Sequence, residues 1–154
     1  MQDIAGLRVV IDGGREAQDQ LVVRLIEALG SPQVDDRRLK PQHGYRAVHV
    51  IVSFESRWVE IQVRTLRQHQ RAELFEKTGD LWGRGIRYGD PPDAPDKVVG
   101  LLTRANFIKN VQMLSDIISE FESLETDSQP RKILLKKLGS DIDTVLKSWM
   151  ERVL

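Results

Sequence analysis

The chain contains no cysteine among its 154 residues. That absence removes disulfides, thiol nucleophiles and thiolate metal sites, and it fits a reducing, cytoplasmic setting. Histidine is also scarce. The three histidines, His43, His49 and His69, show no HExxH spacing, so a histidine-held metal is disfavoured. Charge of one sign is missing too: 23 Lys+Arg balance 23 Asp+Glu. Bulk electrostatics therefore predicts neither nucleic-acid nor membrane binding, and any anion site must be local. No apolar run is long enough to span a bilayer. The start, MQDIAGLRVVID, lacks a basic leader followed by a cleavable apolar segment. Walker A, GxGxxG and GxSxG patterns are absent as well.

What is present reads as alternating strands and helices followed by helices alone. Ile4 to Ile11 is a nearly continuous apolar run, expected as a strand buried on both faces. Asp12-Gly13-Gly14 is a turn. Arg15 to Leu29 places Leu21, Val22, Leu25, Ile26 and Leu29 on one helical side, with Gly30 as the stop. Ser31 to His43 is polar and basic and reads as loop. Ala47 to Phe54 and Trp58 to Thr65 read as two strands joined through Glu55-Ser56-Arg57, hence an antiparallel pair. Thr65-x-x-Gln68 is a capping-box pattern, and Gly79 stands where a stop is expected.

Gly83 to Pro95 is a loop or linker. Val99 to Leu124 and Pro130 to Val153 each carry a helical apolar stripe, and Pro130 suits a helix start. The expected organisation is a first domain over 1–90, a linker over 91–98 and C-terminal helices over 99–154. Those helices are expected as a hairpin, packed on the sheet or on a second chain.

Period-two geometry puts Glu60, Gln62 and Arg64 on one strand face and Val59, Ile61 and Val63 on the other. An acid, an amide and a guanidinium in a row can activate a hydroxyl, orient a ligand and clamp a phosphate. Spacing alone favours the plainer reading, a solvated strand face. The preceding loop, KPQHGYRAVH, sets Tyr45 after a glycine, beside Arg46 and near Arg38 and Lys40. Such a ring offers a flat face for a base, with cations for phosphates; the plainer alternative is a turn glycine with a tyrosine covering the core edge. Asp3, ahead of the first strand, can hold Mg2+ or be a solvated acid.

In order, the segments DIAGLRVV, HGYRAVH, VEIQVRT and QHQRAELFEK resemble the synthetase domain of the RelA/SpoT family, the (p)ppGpp alarmone synthetases, over Gln2 to Tyr88. The resemblance implies an α+β fold, a nucleotidyltransferase-like mixed β-sheet flanked by helices. It implies transfer of the ATP β,γ-pyrophosphate to the 3′-hydroxyl of GDP or GTP. By motif, Asp3 and Glu60 would be the catalytic acids and the Mg2+ ligands. Tyr45 would stack on guanine, and Lys40, His43, Arg46, His49, Gln62 and Arg64 would line the guanine nucleotide and its phosphates.

The family usually has Asn where His43 stands, and its loop lysine lies one residue nearer the tyrosine than Lys40 does. A substantial region that grips ATP usually precedes the DIAG strand, whereas here Met1 lies two residues before Asp3. The alternatives are a toxin-type relative that modifies tRNA or adenine nucleotides, for which a patch of Arg37, Arg38, Lys40 and Arg46 would serve, and a non-catalytic guanine-nucleotide-binding module. A homo-oligomer is compatible with either. A hydrolase is disfavoured, because no His-Asp pair occurs.

Overall fold

The computed structural model describes residues 5–124 and 132–153. Asp3, Ile4 and Pro130 lie outside the described residues, so the expectations placed on them receive no structural account.

Strands β1 (Ala5–Ile11), β2 (Gln33–Asp36), β3 (Val48–Phe54) and β4 (Arg57–Thr65) form one mixed sheet in the order β1-β4-β3-β2. The two strands expected as an antiparallel pair are β3 and β4, with Val50 opposite Ile61 and Phe54 opposite Arg57. Their two-residue turn puts Glu55 (φ 47°) and Ser56 (φ 63°) in the left-handed region, as a hairpin matched to strand twist requires. β1 runs parallel to β4. α1 (Arg15–Leu29) follows β1, and α2 (Leu66–Trp82) follows β4 directly.

The alternation in β3 and β4 decides where the first core sits. Val48, Val50, Ile61 and Val63 face α1 and pack with Val22, supported by Val9, Leu21 and Leu25. The opposite face is left to polar side chains.

Thr65 caps α2 as expected: its hydroxyl accepts from the Gln68 N–H, and the Gln68 side chain accepts from the Thr65 N–H. Gly79 is not the stop. The helix continues to Trp82 and ends at Gly83 (φ 113°), whose N–H returns to the Gly79 carbonyl. Gly79 instead admits Arg87, since a Cβ there would stand 3.1 Å from the Arg87 Nε. A short 3-10 helix, Arg84–Tyr88, and a small ribbon of β5 (Val98–Val99) and β6 (Leu102–Thr103) lead into α3 (Arg104–Leu124) and then α4 (Lys132–Val153).

α3 and α4 form the expected hairpin. Leu114, Ile118 and Phe121 of α3 meet Leu135, Ile142 and Leu146 of α4. The hairpin packs on α2 rather than on the sheet. Leu74, Phe75, Trp82 and Ile86 share a core with Phe107, Ile108, Val111 and Val153, and Trp82 meets Phe107 edge-on at 5.3 Å. This packing crosses residues 91–98. A buried polar seam adds to it. Glu122 of α3, 1% exposed, accepts from the Thr65 hydroxyl and from Gln68 Nε2, the latter at 2.8 Å.

Two expectations about the strands also need correction. β1 is an edge strand, not one buried on both faces: it pairs only with β4 among the described residues, and Leu7 is 58% exposed. A continuous apolar run fits either position, because the run does not reveal how many neighbours a strand has. The segment read as loop contains β2. Its sequence, QVDD, has little strand preference. It is held by pairing with β3 and by Arg38, which bonds Asp36 at 2.6 Å, Asp19 at 2.7 Å and Gln18 at 3.1 Å. No described helix is long and apolar enough to cross a membrane.

Candidate active site

The polar face of the sheet carries a row of side chains in register. Arg8 of β1 stands beside Gln62 of β4, Gln62 beside His49 of β3, and His49 beside Asp35 of β2. Glu60 and Arg64 flank Gln62 on the same strand face. The Tyr45 loop closes one end of the row and α2 walls its side. Together they enclose a cavity of about 420 Å3, lined by Arg8, Arg37, Gln42, His43, Tyr45, His49, Glu60, Gln62, Arg64, Arg71, Ala72, Phe75, Glu76 and Arg87.

Five of these side chains form a closed hydrogen-bonded ring. The Tyr45 hydroxyl lies 2.9 Å from His49 Nε2, and His49 Nδ1 lies 2.6 Å from Glu60 Oε1. Gln62 Nε2 donates to Glu60 Oε2 at 2.9 Å, Arg64 Nη2 donates to Gln62 Oε1 at 3.0 Å, and the same nitrogen donates to the Tyr45 hydroxyl at 2.8 Å. An ionised Glu60 can only accept, so His49 Nδ1 carries a proton; Nε2 accepts the Tyr45 hydroxyl proton when the ring is neutral and donates to that hydroxyl when the ring is charged.

Burial pushes the Glu60 carboxyl up. The hydrogen bonds from Gln62 and His49, with the charges of His49 and Arg37, outweigh it and hold the group below its ordinary value. Glu60 is therefore an oriented carboxylate at neutral pH, 22% exposed at the cavity wall.

In the rest of the cavity five arginines, Arg8, Arg37, Arg64, Arg71 and Arg87, face one further acid, Glu76. Arg64 is 2% exposed, and its Nε and Nη1 find no hydrogen-bond partner among the described residues. Its guanidinium lies 4.8 Å from the Tyr45 ring centroid. Arg71, also 2% exposed, stacks over Phe75 at 4.6 Å and donates to the His43 and Val111 carbonyls. Burial, with the nearby Arg46 charge, lowers its pKa to about 10 against a partial offset from Asp116. Buried guanidiniums without carboxylate partners are ready receivers for phosphate oxygens.

The structure therefore brings together Tyr45, His43, His49, Glu60, Gln62 and Arg64. Two expected residues stand elsewhere. Lys40 is exposed and does not line the cavity. Arg46 turns away from it, bonding Ser115 Oγ at 3.0 Å, Asp116 at 2.7 Å and the Arg38 carbonyl. A long cation near a tyrosine in sequence can reach several partners, and here α3 supplies better ones. Residues that sequence reasoning left out are Gln42, Arg71, Phe75, Glu76 and Arg87. Arg8 is a charge inside an apolar strand, and its place follows once β1 is parallel to β4. No local pattern marks Arg71 or Arg87. Two roomier clefts, each about 700 Å3, lie away from this row, one among α2, α3 and α4 and one along α1, and hold none of the ring residues.

The family model described as the region found in RelA / SpoT proteins matches residues 1–78. The chain belongs to the RelA/SpoT family. Within its relatives, the uncharacterized protein Rv1366 of Mycobacterium tuberculosis is 40% identical over 95 residues, covering 60% of this chain and 35% of that protein. Protein Mb1401 of Mycobacterium bovis matches equally. The chain thus spans 35% of the length of these curated relatives.

Among solved structures, small alarmone synthetase 1 of Bacillus subtilis superposes with a TM-score of 0.52 at 23% identity, over 82% of this chain and 62% of that one. Small alarmone synthetase 2 of the same organism gives 0.53 at 20%, over 80% and 63%. At these identities the likeness shows the fold: this RelA/SpoT-family chain has the α+β, nucleotidyltransferase-like architecture of the alarmone synthetases.

Proposed function

We propose that the cavity receives a guanine nucleotide, GDP or GTP, as acceptor and that the protein works as a pyrophosphokinase. The β,γ-pyrophosphate of ATP is transferred to the acceptor's 3′-hydroxyl: the hydroxyl oxygen forms a bond to the ATP β-phosphorus, the bond between that phosphorus and the α,β-bridging oxygen breaks, and AMP leaves. The observation that carries this reading is the closed ring from Tyr45 through His49, Glu60, Gln62 and Arg64 in a cavity with a surplus of guanidiniums.

Each residue then has a chemical task. Glu60, ionised and aimed by His49 and Gln62, takes the proton of the 3′-hydroxyl. Tyr45 presents one ring face to the base while Arg64 backs the ring. Arg64 and Arg71, with Arg8, Arg37 and Arg87 around the cavity, offset phosphate charge as it is buried. The name of the solved relatives, alarmone synthetases, is consistent with this assignment.

A Mg2+ ion fits the donor set in one limited way. The Glu60 oxygens each accept one hydrogen bond from the ring, which leaves lone pairs for a hard cation shared with phosphate oxygens. No group of three or more described His, Asp or Glu residues forms a protein-only cage. Asp3 is proposed as the second carboxylate. When bound, the ion would neutralise phosphate charge.

The deciding experiment incubates the full-length protein with γ-labelled ATP, Mg2+ and either GDP or GTP. Label is expected on the guanine nucleotide and lost in Glu60→Gln. Label on tRNA or on an adenine nucleotide would replace the guanine acceptor, and GDP binding without any transfer would leave a binding module.

A further inference from the structure

The loop that carries Tyr45 does not hold its own shape. His43 (φ 49°) and Gly44 (φ 76°) are consecutive left-handed residues, a conformation disfavoured for a side chain such as His43. One internal bond, from the Tyr45 N–H to the Gln42 carbonyl at 2.8 Å, spans the turn. The Tyr45 hydroxyl is tied to His49 and Arg64 of the sheet and Arg46 to the Arg38 carbonyl; the backbone of the turn is held further by α3 and by one side chain of α2.

Ser115 of α3 donates its hydroxyl to the Gly44 carbonyl at 2.6 Å and accepts from Arg46 Nε at 3.0 Å. Asp116 holds Arg46 Nη2 at 2.7 Å. Arg71 joins the His43 carbonyl, at 2.6 Å, to the Val111 carbonyl of α3, at 3.2 Å. The fit is tight: a Cβ on Gly44 would stand 2.5 Å from Arg71 Nη2 and 3.0 Å from Ser115 Cβ. Ser115 is 2% exposed and, with Glu122, is one of two polar side chains among the buried residues of α3, so its hydroxyl has a specific use.

We propose that α3 is a brace for the Tyr45 loop, with Ser115 as its positioning residue, and that this brace sets the affinity of the cavity for its guanine nucleotide. The inference rests on the function proposed above. Without the Ser115 hydroxyl, the Gly44 carbonyl and Arg46 Nε each lose a partner, and the loop samples other conformations. Tyr45 then leaves its register with His49 and Glu60, and binding must bear the cost of reordering it. Ser115 is not among the residues that line the cavity, and its hydroxyl bonds Gly44 and Arg46 of the loop, so its effect travels through the loop.

The test measures amide hydrogen exchange and GDP binding in the full-length protein. In Ser115→Ala the Tyr45 and Arg46 amides are expected to exchange about tenfold faster, while β3 and the α3 core stay protected. The Kd for GDP is expected to rise about tenfold, the equivalent of one or two lost hydrogen bonds. Turnover at saturating GDP should stay within about twofold. Ser115→Thr, which keeps the hydroxyl, should lie nearer the parent on both measures. Asp116→Ala, at a side chain 68% exposed and so safe for folding, should move both in the same direction by less.

Unchanged loop exchange, or a looser loop with unchanged GDP affinity, overturns the brace while leaving the proposed function intact. Failure of the parent protein itself to bind GDP or GTP overturns the proposed function, and with it the brace's effect on affinity.

Discussion

The two faces of the β3–β4 hairpin share one backbone and divide the protein's work. On one face Val48, Val50, Ile61 and Val63 lie against α1 and shed water. On the other, one residue out of step, His49, Glu60, Gln62 and Arg64 bond one another and Tyr45. The apolar face is stabilised by area removed from water, which tolerates exchange between similar shapes. The polar face depends on directed bonds, and its buried guanidinium is a cost to the fold that a bound anion would offset. Stability and chemistry are thus separated by the two-residue period of a strand, and substitutions on the two faces should fail in different ways.

The sharpest contrast comes from Glu60→Gln against Ile61→Ala, neighbours on opposite faces. Glu60→Gln should cut the proposed pyrophosphoryl transfer by about 10²–10⁴-fold, the usual worth of a general base, if Glu60 has that role, with a melting temperature close to the parent's. Ile61→Ala should lose about 2–5 kcal/mol of stability by chemical denaturation while the folded fraction keeps its turnover. A large stability loss in Glu60→Gln, or an inactive but stable Ile61→Ala, would erase the division.

Tyr45→Ala should weaken GDP binding by about 1–3 kcal/mol if the ring stacks on the base. Calorimetry that finds the affinity unchanged would remove Tyr45 from recognition and leave it as a member of the ring only.

The smallest expected effect is on pH. The native Glu60 carboxyl titrates below its ordinary value, so ionised Glu60 contributes stability that is fully present above the unfolded value of about 4.3. That contribution is lost as pH falls through the lower native value. The stability gap between the parent and Glu60→Gln should therefore be widest near neutrality and close on acidification. A gap that grows with acid would mean a raised native value.

Local pattern explains which parts of this were legible. The β3–β4 pair, the helix after Asp12-Gly13-Gly14 and the Thr65 capping box are each written within a few residues, so their spacing alone revealed them. The facing of Glu60, Gln62 and Arg64 came from the same alternation. β2 was missed because QVDD has no strand signature and exists by pairing with β3. Its anchor, Arg38, bonds a residue on α1. β1 was misjudged because an apolar run does not state its number of neighbours.

By itself, then, the sequence determined which side chains share a strand face, where the hairpin turns and where α2 begins, because periodicity and capping act over one or two turns of chain. Only the tertiary structure decided that Arg46 leaves the cavity for α3 while Arg71 enters it, and that Arg8 joins the Gln62 row. A long side chain takes the partner with the best geometry within reach, and folding brings that partner from far away: Arg46 bonds Asp116 across 70 positions of sequence.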